Sequence, residues 1–211
     1  VVEEVKLCEA SSLHTHFYRL WATQTNMSYE FSDGYKIRDQ AGLYFLTFTV
    51  VGWIDLFSRQ LYRDVFLKNM EYCRKKKNLR VGAYVIMSNH AHLIWQSKSA
   101  QLSDTVRDFK SFCTKEFIEA ISSENESRRE WLLYMFRFFA NKTNQNKDYK
   151  VWTGDNHPEE ITSREFLLEK LNYIHQNPVR AGWVRNPEDY LYSSASNYAN
   201  GKGLMEIDYL L

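Results

Sequence analysis

The stretch VGAYVIM-SN-HAHLIWQ, residues 81–96, decides the fold. Residues 81–87 and 90–96 are short apolar runs rich in β-branched and aromatic residues, and the polar pair Ser88-Asn89 between them suits a tight turn joining antiparallel neighbours. On a strand, positions two apart point the same way. His90 and His92 therefore share one face of the second strand, and Ala91, Leu93 and Trp95 share the other.

Upstream, residues 43–53 (LYFLTFTVVGW) follow Gly42 and read as a first, central strand. Residues 58–78 carry Leu61, Val65, Phe66, Met70 and Cys73 at helical spacing and end in the basic run 74–77, which favours a helix C-terminus. Downstream of the hairpin, Ser103 is placed to cap a helix whose apolar stripe is Val106, Phe109, Cys113, Phe117 and Ala120. The order strand, helix, strand, strand, helix predicts an α+β fold. Its core is a ferredoxin- or RRM-like split β-α-β unit, an antiparallel sheet with helices on one face.

Residues 122–150 read as an insertion: an acidic-polar turn (SSENES), a helix over the aromatic run 131–139, and a mobile Asn/Lys-rich loop. Thr162-Ser163-Arg164-Glu165 has the pattern of a capping box opening a helix that Pro178 ends, after which the chain reads as a loop-rich tail. Residues 1–26 show no clear period and are expected to be an N-terminal extension, non-native or disordered, with a single domain over 27–211. His14 and His16 repeat the alternate spacing of His90 and His92 but fall in that unpatterned leader.

Lys plus Arg exceed Asp plus Glu by one among 211 residues, so the molecule as a whole has no field to gather a polyanion, and any nucleic-acid affinity must be local. Aromatic residues make up 16% of the chain; such rings stack on bases but more often build cores. Cys8, Cys73 and Cys113 are too few and too scattered for a disulfide framework or a thiolate metal site, and Cys73 and Cys113 suit buried positions. No stretch approaches the length of a membrane span, which points to an intracellular protein with no membrane partner.

Two imidazoles side by side on a strand are half of a metal site, although such a pair is also common without any ligand. On the capped helix, Phe166, Lys170, Tyr173 and Asn177 form one stripe, and Leu167, Leu171 and Ile174 another. If the apolar stripe packs, Tyr173 and Asn177 can present a phenol and an amide oxygen one turn apart. The plainer alternative is that Tyr173 packs and Asn177 caps the helix before Pro178.

Taken together, these segments resemble a known family. Met87-Ser-Asn-His-Ala-His-Leu-Ile-Trp95 is similar to the histidine-hydrophobic-histidine (HUH) strand of the single-tyrosine transposases. Tyr173-Ile-His-Gln-Asn-Pro-Val-Arg-Ala-Gly182, with Pro187-Glu-Asp-Tyr-Leu-Tyr-Ser-Ser194, is similar to the C-terminal signature of the REP-associated tyrosine transposases. With the opening strand, 34–48, the resemblance covers most of residues 34–198. The 122–150 segment is longer than in compact members, and the tail after Tyr198 is short.

The resemblance implies a bacterial, cytoplasmic, nucleoid-associated single-strand DNA endonuclease and transposase. Tyr173 would be the nucleophile of a 5′-phosphotyrosine intermediate, and His90, His92 and Asn177 would hold Mg²⁺ or Mn²⁺. The partner would be single-stranded or hairpin DNA, with a monomer favoured over a homodimer. Lys110, Arg107 and Lys115 around the second helix, together with His157 and Lys170, are candidate DNA contacts. A tyrosine phenol ionises at about pH 10, so it needs a cation or base beside it to act as a nucleophile at neutral pH. Two further readings remain open: a domesticated, non-cleaving DNA-binding protein derived from such a transposase, and a metal-dependent hydrolase without a covalent step.

Overall fold

The computed structural model describes residues 36–123, 125–142 and 148–210; the leader 1–26 lies outside the described residues, as do Cys8, His14 and His16. At the centre is the expected hairpin. Strand β2 (Leu79–Ile86) and strand β3 (His90–Ser97) pair antiparallel from Leu79↔Ser97 to Ile86↔Ala91. The Met87 N–H donates to the His90 carbonyl (2.8 Å) across Ser88-Asn89, closing the predicted two-residue turn. A bulge falls between Val81 and Ala83, at Gly82.

Strand β1 (Leu43–Thr49) pairs antiparallel with the other edge of β3, from Leu43↔Gln96 to Thr49↔His90. It is shorter than residues 43–53 suggested. Gly52 and Trp53 both take left-handed backbone angles (φ 62° and 55°), so Val51–Trp53 forms a 3-10 turn instead of continuing the strand. A two-residue strand β4 (Glu159–Glu160) completes the order β2-β3-β1-β4, the antiparallel arrangement of the predicted split β-α-β core.

Helices α1 (Gln60–Lys76) and α2 (Leu102–Ser123) cover the face that carries Leu93 and Trp95. There Phe66, Phe109 and Trp95 meet with ring centroids 4.9–5.1 Å apart, and Phe48, Phe57, Phe117 and Trp152 close around them. Much of the aromatic content is therefore core. Cys73 and Cys113 are buried and free, as expected of small apolar side chains.

The start of α2 differs from the expectation. Ser103 lies inside the first turn, and its N–H donates to Oε1 of Gln40 (2.8 Å), a capping group supplied from 63 residues away. The apolar stripe runs through Val106, Phe109, Cys113 and Phe117 to a partly buried Ala120 packed against the core, and beside it Ile121 is fully buried.

The insertion begins with helix α3 (Arg129–Asn141), which buries Leu132, Met135, Phe136 and Ala140. Residues 143–147 of the expected loop lie outside the described residues. The polar turn before α3 is not simply solvated: Glu126 is buried among Arg59, Tyr62 and Arg128.

Helix α4 (Arg164–Arg180) lies over the histidine face of the sheet and buries Leu167, Leu171, Ile174 and Pro178. Its cap is Ser163, whose Oγ accepts from the Phe166 N–H (3.2 Å), one residue later than the Thr162–Glu165 box anticipated. Nor does Pro178 end it. The helix runs on to Arg180, the Ala181 N–H donating to the Asn177 carbonyl (3.0 Å), and Gly182, with a left-handed φ of 73°, turns the chain away.

The tail is more ordered than predicted. Val85 bridges Ser193, and the Ile86 N–H donates to the Tyr192 carbonyl (2.9 Å), covering the outer edge of β2. Helix α5 (Ala195–Asn200) follows. Among the described residues, no helix is long and apolar enough to cross a membrane.

Candidate active site

Strand alternation and register bring His90 and His92 out on the same face, their ring centroids 4.8 Å apart. Helix α4 delivers Tyr173 onto that face, its ring edge-on to His92 at 5.1 Å. Phe45 of β1 forms the floor, stacked on His92 (5.4 Å) and edge-to-face with Tyr173 (5.9 Å). Three residues expected to share a site from two distant segments are thus together.

The orientation of each imidazole is set by a neighbour. Asn89 donates from Nδ2 to the Trp53 carbonyl (3.3 Å), which leaves its Oδ1 to face Nδ1 of His90 at 2.7 Å. With an acceptor there, Nδ1 of His90 carries the proton and Nε2 is left with its lone pair. Thr47, paired with His92 across the β1–β3 ladder, places its Oγ1 3.0 Å from Nδ1 of His92 and so engages that ring through Nδ1 as well.

Burial lowers the pKa of His90, and burial together with the charges of His90 and Lys170 lowers that of His92 to about 3. Both rings are consequently neutral at physiological pH, the form that binds a cation. Imidazoles engaged through Nδ1 are the arrangement in which neighbouring polar groups orient histidine metal ligands. The histidines therefore fit a divalent cation.

Asn177 stands one turn beyond Tyr173 on α4 and is half-buried; its backbone carbonyl accepts from Ala181 (3.0 Å). Among the described residues no group of three or more His, Cys, Asp or Glu side chains has metal-binding geometry.

The other candidates divide by place. Lys170 is near the site, but its ammonium pairs with Glu159 (2.8 Å) and lies 4.6 Å above the Phe45 ring, which makes it part of the floor's support. Lys110, Arg107 and Lys115 are on α2, across the sheet from Tyr173. Lys110 donates to the Thr153 carbonyl (3.2 Å) and to Asn156 and lies over the rings of Phe48 and Trp152, so it ties the 151–156 loop to the core. Arg107 pairs with Asp104 (2.6 Å) and Asp108 (3.1 Å), and Lys115 is exposed.

His157, with its backbone at φ 41°, is exposed beside Asp155. The Asn156 carbonyl before it accepts from the Thr47 N–H (2.8 Å), which puts this loop against β1, the neighbour of the strand that carries His92. His175 points away from the site, its Nε2 2.9 Å from Ser194 Oγ in the tail.

Four contributors were not foreseen: Phe45, Thr47, Asn89 and Arg180. The Arg180 guanidinium lies 5.4 Å from the Tyr173 ring centre. Its place seven residues after Tyr173, two turns along the same stripe, was a legible signal. The roles of Thr47 and Phe45 depend on strand register, which no local pattern carries.

An antiparallel split β-α-β sheet with a histidine pair on one face and a helix-borne tyrosine against it is the architecture anticipated from the motifs. No family model matches the chain. It is 23% identical over 152 residues to the REP-associated tyrosine transposase of Escherichia coli (strain K12), covering 71% of this chain and 72% of that protein. It superposes, with a TM-score of 0.54 and 19% identity, on a REP-associated tyrosine transposase solved bound to a REP hairpin, over 85% of this chain and 92% of that one. Sequence and fold thus bear out the resemblance to the REP-associated tyrosine transposases.

Proposed function

We propose that this protein is a transposase-like enzyme that binds hairpin DNA and nicks and rejoins single strands through Tyr173. The observation that carries the reading is the Tyr173 ring set 5.1 Å from His92 on the face that also presents His90. A packing tyrosine would not need two neutral, oriented imidazoles beside it. Support also comes from the likeness to tyrosine transposases, one of them solved with a REP hairpin.

In this reading His90 and His92, through Nε2, and Asn177, through its amide oxygen, hold one Mg²⁺ or Mn²⁺. Bound there, the cation would neutralise charge on the non-bridging oxygens of the phosphodiester. Neutral imidazole and amide ligands add no negative charge that would repel the DNA.

Tyr173 Oη attacks the phosphorus. The P–Oη bond forms as the P–O3′ bond breaks, the phenolic proton passes to water, and the departing 3′-oxygen takes up a proton. Arg180, whose guanidinium lies over the Tyr173 ring, is a cation placed to attract the phosphate oxygens. The phosphotyrosine conserves the energy of the diester, so a 3′-OH can reverse the step and rejoin a strand without a nucleotide cofactor.

Tyr173→Phe tests this. The variant keeps the ring and should fold and bind Mn²⁺ and hairpin DNA nearly as wild type does, yet yield no nicked strand and no protein–DNA adduct. The assay is denaturing electrophoresis of labelled single-stranded substrate in Mn²⁺, with mass spectrometry of the adduct. An adduct formed by the Phe variant, or cleavage by wild type without any adduct, would refute the assignment.

A further inference from the structure

The row of rings that starts at Tyr173 and His92 continues past the histidines. Beyond His90, with ring centroids 6.3 Å apart and edge to face, stands the indole of Trp53. Exposure rises along the row: His92 is 6% exposed, whereas Trp53, at 58%, is the most exposed large apolar side chain among the described residues.

The backbone under Trp53 is unusual and firmly held. Gly52 and Trp53 take consecutive left-handed conformations, which a bulky side chain adopts rarely and at a cost. A Cβ at Gly52 would come within 2.8 Å of Phe139, so only glycine lets the chain pass there. The Trp53 N–H donates to the Val50 carbonyl (3.1 Å) and the Trp53 carbonyl accepts from Asn89 (3.3 Å), the residue that orients His90. The turn that ends β1 thus projects an indole into solvent beside a candidate phosphate site and couples it to one of that site's imidazoles.

Building on the function proposed above, we propose that Trp53 is a nucleobase-stacking subsite, holding the base of a nucleotide next to the phosphate seated at His90 and His92. A flat, exposed π face is what an unpaired base requires, and stacking is tolerant of base identity. With a net charge of +1 the protein exerts little long-range pull on DNA, so a short-range contact of this kind is well suited to holding a single strand.

The probe is a mixed-sequence single-stranded 20-mer, compared with a strand of the same length made wholly of abasic residues. Wild type should bind the base-bearing strand more tightly. Trp53→Ala should lose about 5- to 100-fold on that strand and little on the abasic one, while Trp53→Phe keeps most of the affinity. Thermal unfolding checks each variant. Trp53→Leu, apolar but without a π face, takes the place of Trp53→Ala if the latter does not fold, and is expected to be impaired where Trp53→Phe is not.

If wild type binds the 20-mer and the variants lacking a ring match it, the stacking subsite is refuted while the proposed function stands. Equal losses on both strands would also refute it, since the indole would then act other than through a base. If wild type binds neither strand, the stacking subsite is refuted, and the proposed function stands or falls separately on the Tyr173→Phe adduct assay.

Discussion

Replacing Glu126 with Gln should make the stability of this domain far less sensitive to acid. The Glu126 side chain is 1% exposed. It accepts from Arg59 Nη1 (2.8 Å), the Tyr62 hydroxyl (2.8 Å) and the Arg128 N–H (3.0 Å), tying the turn before α3 to the start of α1. Burial pushes its pKa up, but the hydrogen bonds from Arg128, Arg59 and Tyr62 and the charge of Arg128 outweigh it and bring the value down to about 2, from 4.5. That gap corresponds to about 3 kcal/mol in favour of the folded, charged carboxylate.

Because the folded pKa is the lower one, this stabilisation is fully present above about pH 4.5 and is lost as the pH falls towards 2. Gln keeps the shape but not the charge, so the variant should be less stable by about 3 kcal/mol at pH 7 and at pH 5, and by about half that at pH 3. Urea unfolding followed by circular dichroism at the three pH values measures the difference. A gap of the same size at pH 7 and pH 3, or none at pH 7, would show that the buried carboxylate is not held in its charged form by these partners.

Two further outcomes are expected. Thr47→Val removes the hydroxyl 3.0 Å from Nδ1 of His92, and titration calorimetry should find Mn²⁺ bound about 10- to 100-fold more weakly, with the thermal midpoint little changed; unaltered affinity would count against Thr47 as the residue that orients His92. Phe109→Ala empties a fully buried site among Phe48, Phe66 and Trp95 and should cost about 3–5 kcal/mol in urea unfolding, and a loss under 1 kcal/mol would mean that this cluster is not the core.

Where local pattern dominates, the chain was readable. Alternation along residues 90–96 placed His90 and His92 on one face, because side chains on a strand alternate whatever the strand pairs with. Helical periodicity separated Leu167, Leu171 and Ile174, which are buried, from Tyr173, which meets His92, and the half-buried Asn177 one turn beyond it. Errors gathered at element ends, where the deciding group is remote or a single backbone angle intervenes. Gln40 caps α2 from a distant segment, and the left-handed Gly52 and Trp53 stop β1 early.

The sequence by itself determined the hairpin, the core order strand, helix, strand, strand, helix, the histidine pair and the tyrosine helix, because each is encoded by the spacing of neighbours in the chain. Only the tertiary structure decided that Thr47 faces His92, that Lys110 serves the core, and that Glu126, within a run that reads as an acidic-polar turn, is buried with two arginines. Those outcomes depend on register between strands and on which charges meet when separate segments pack. The chemistry of one stretch does not contain that information, since a carboxylate or an ammonium is buried only where partners from elsewhere offset its lost hydration.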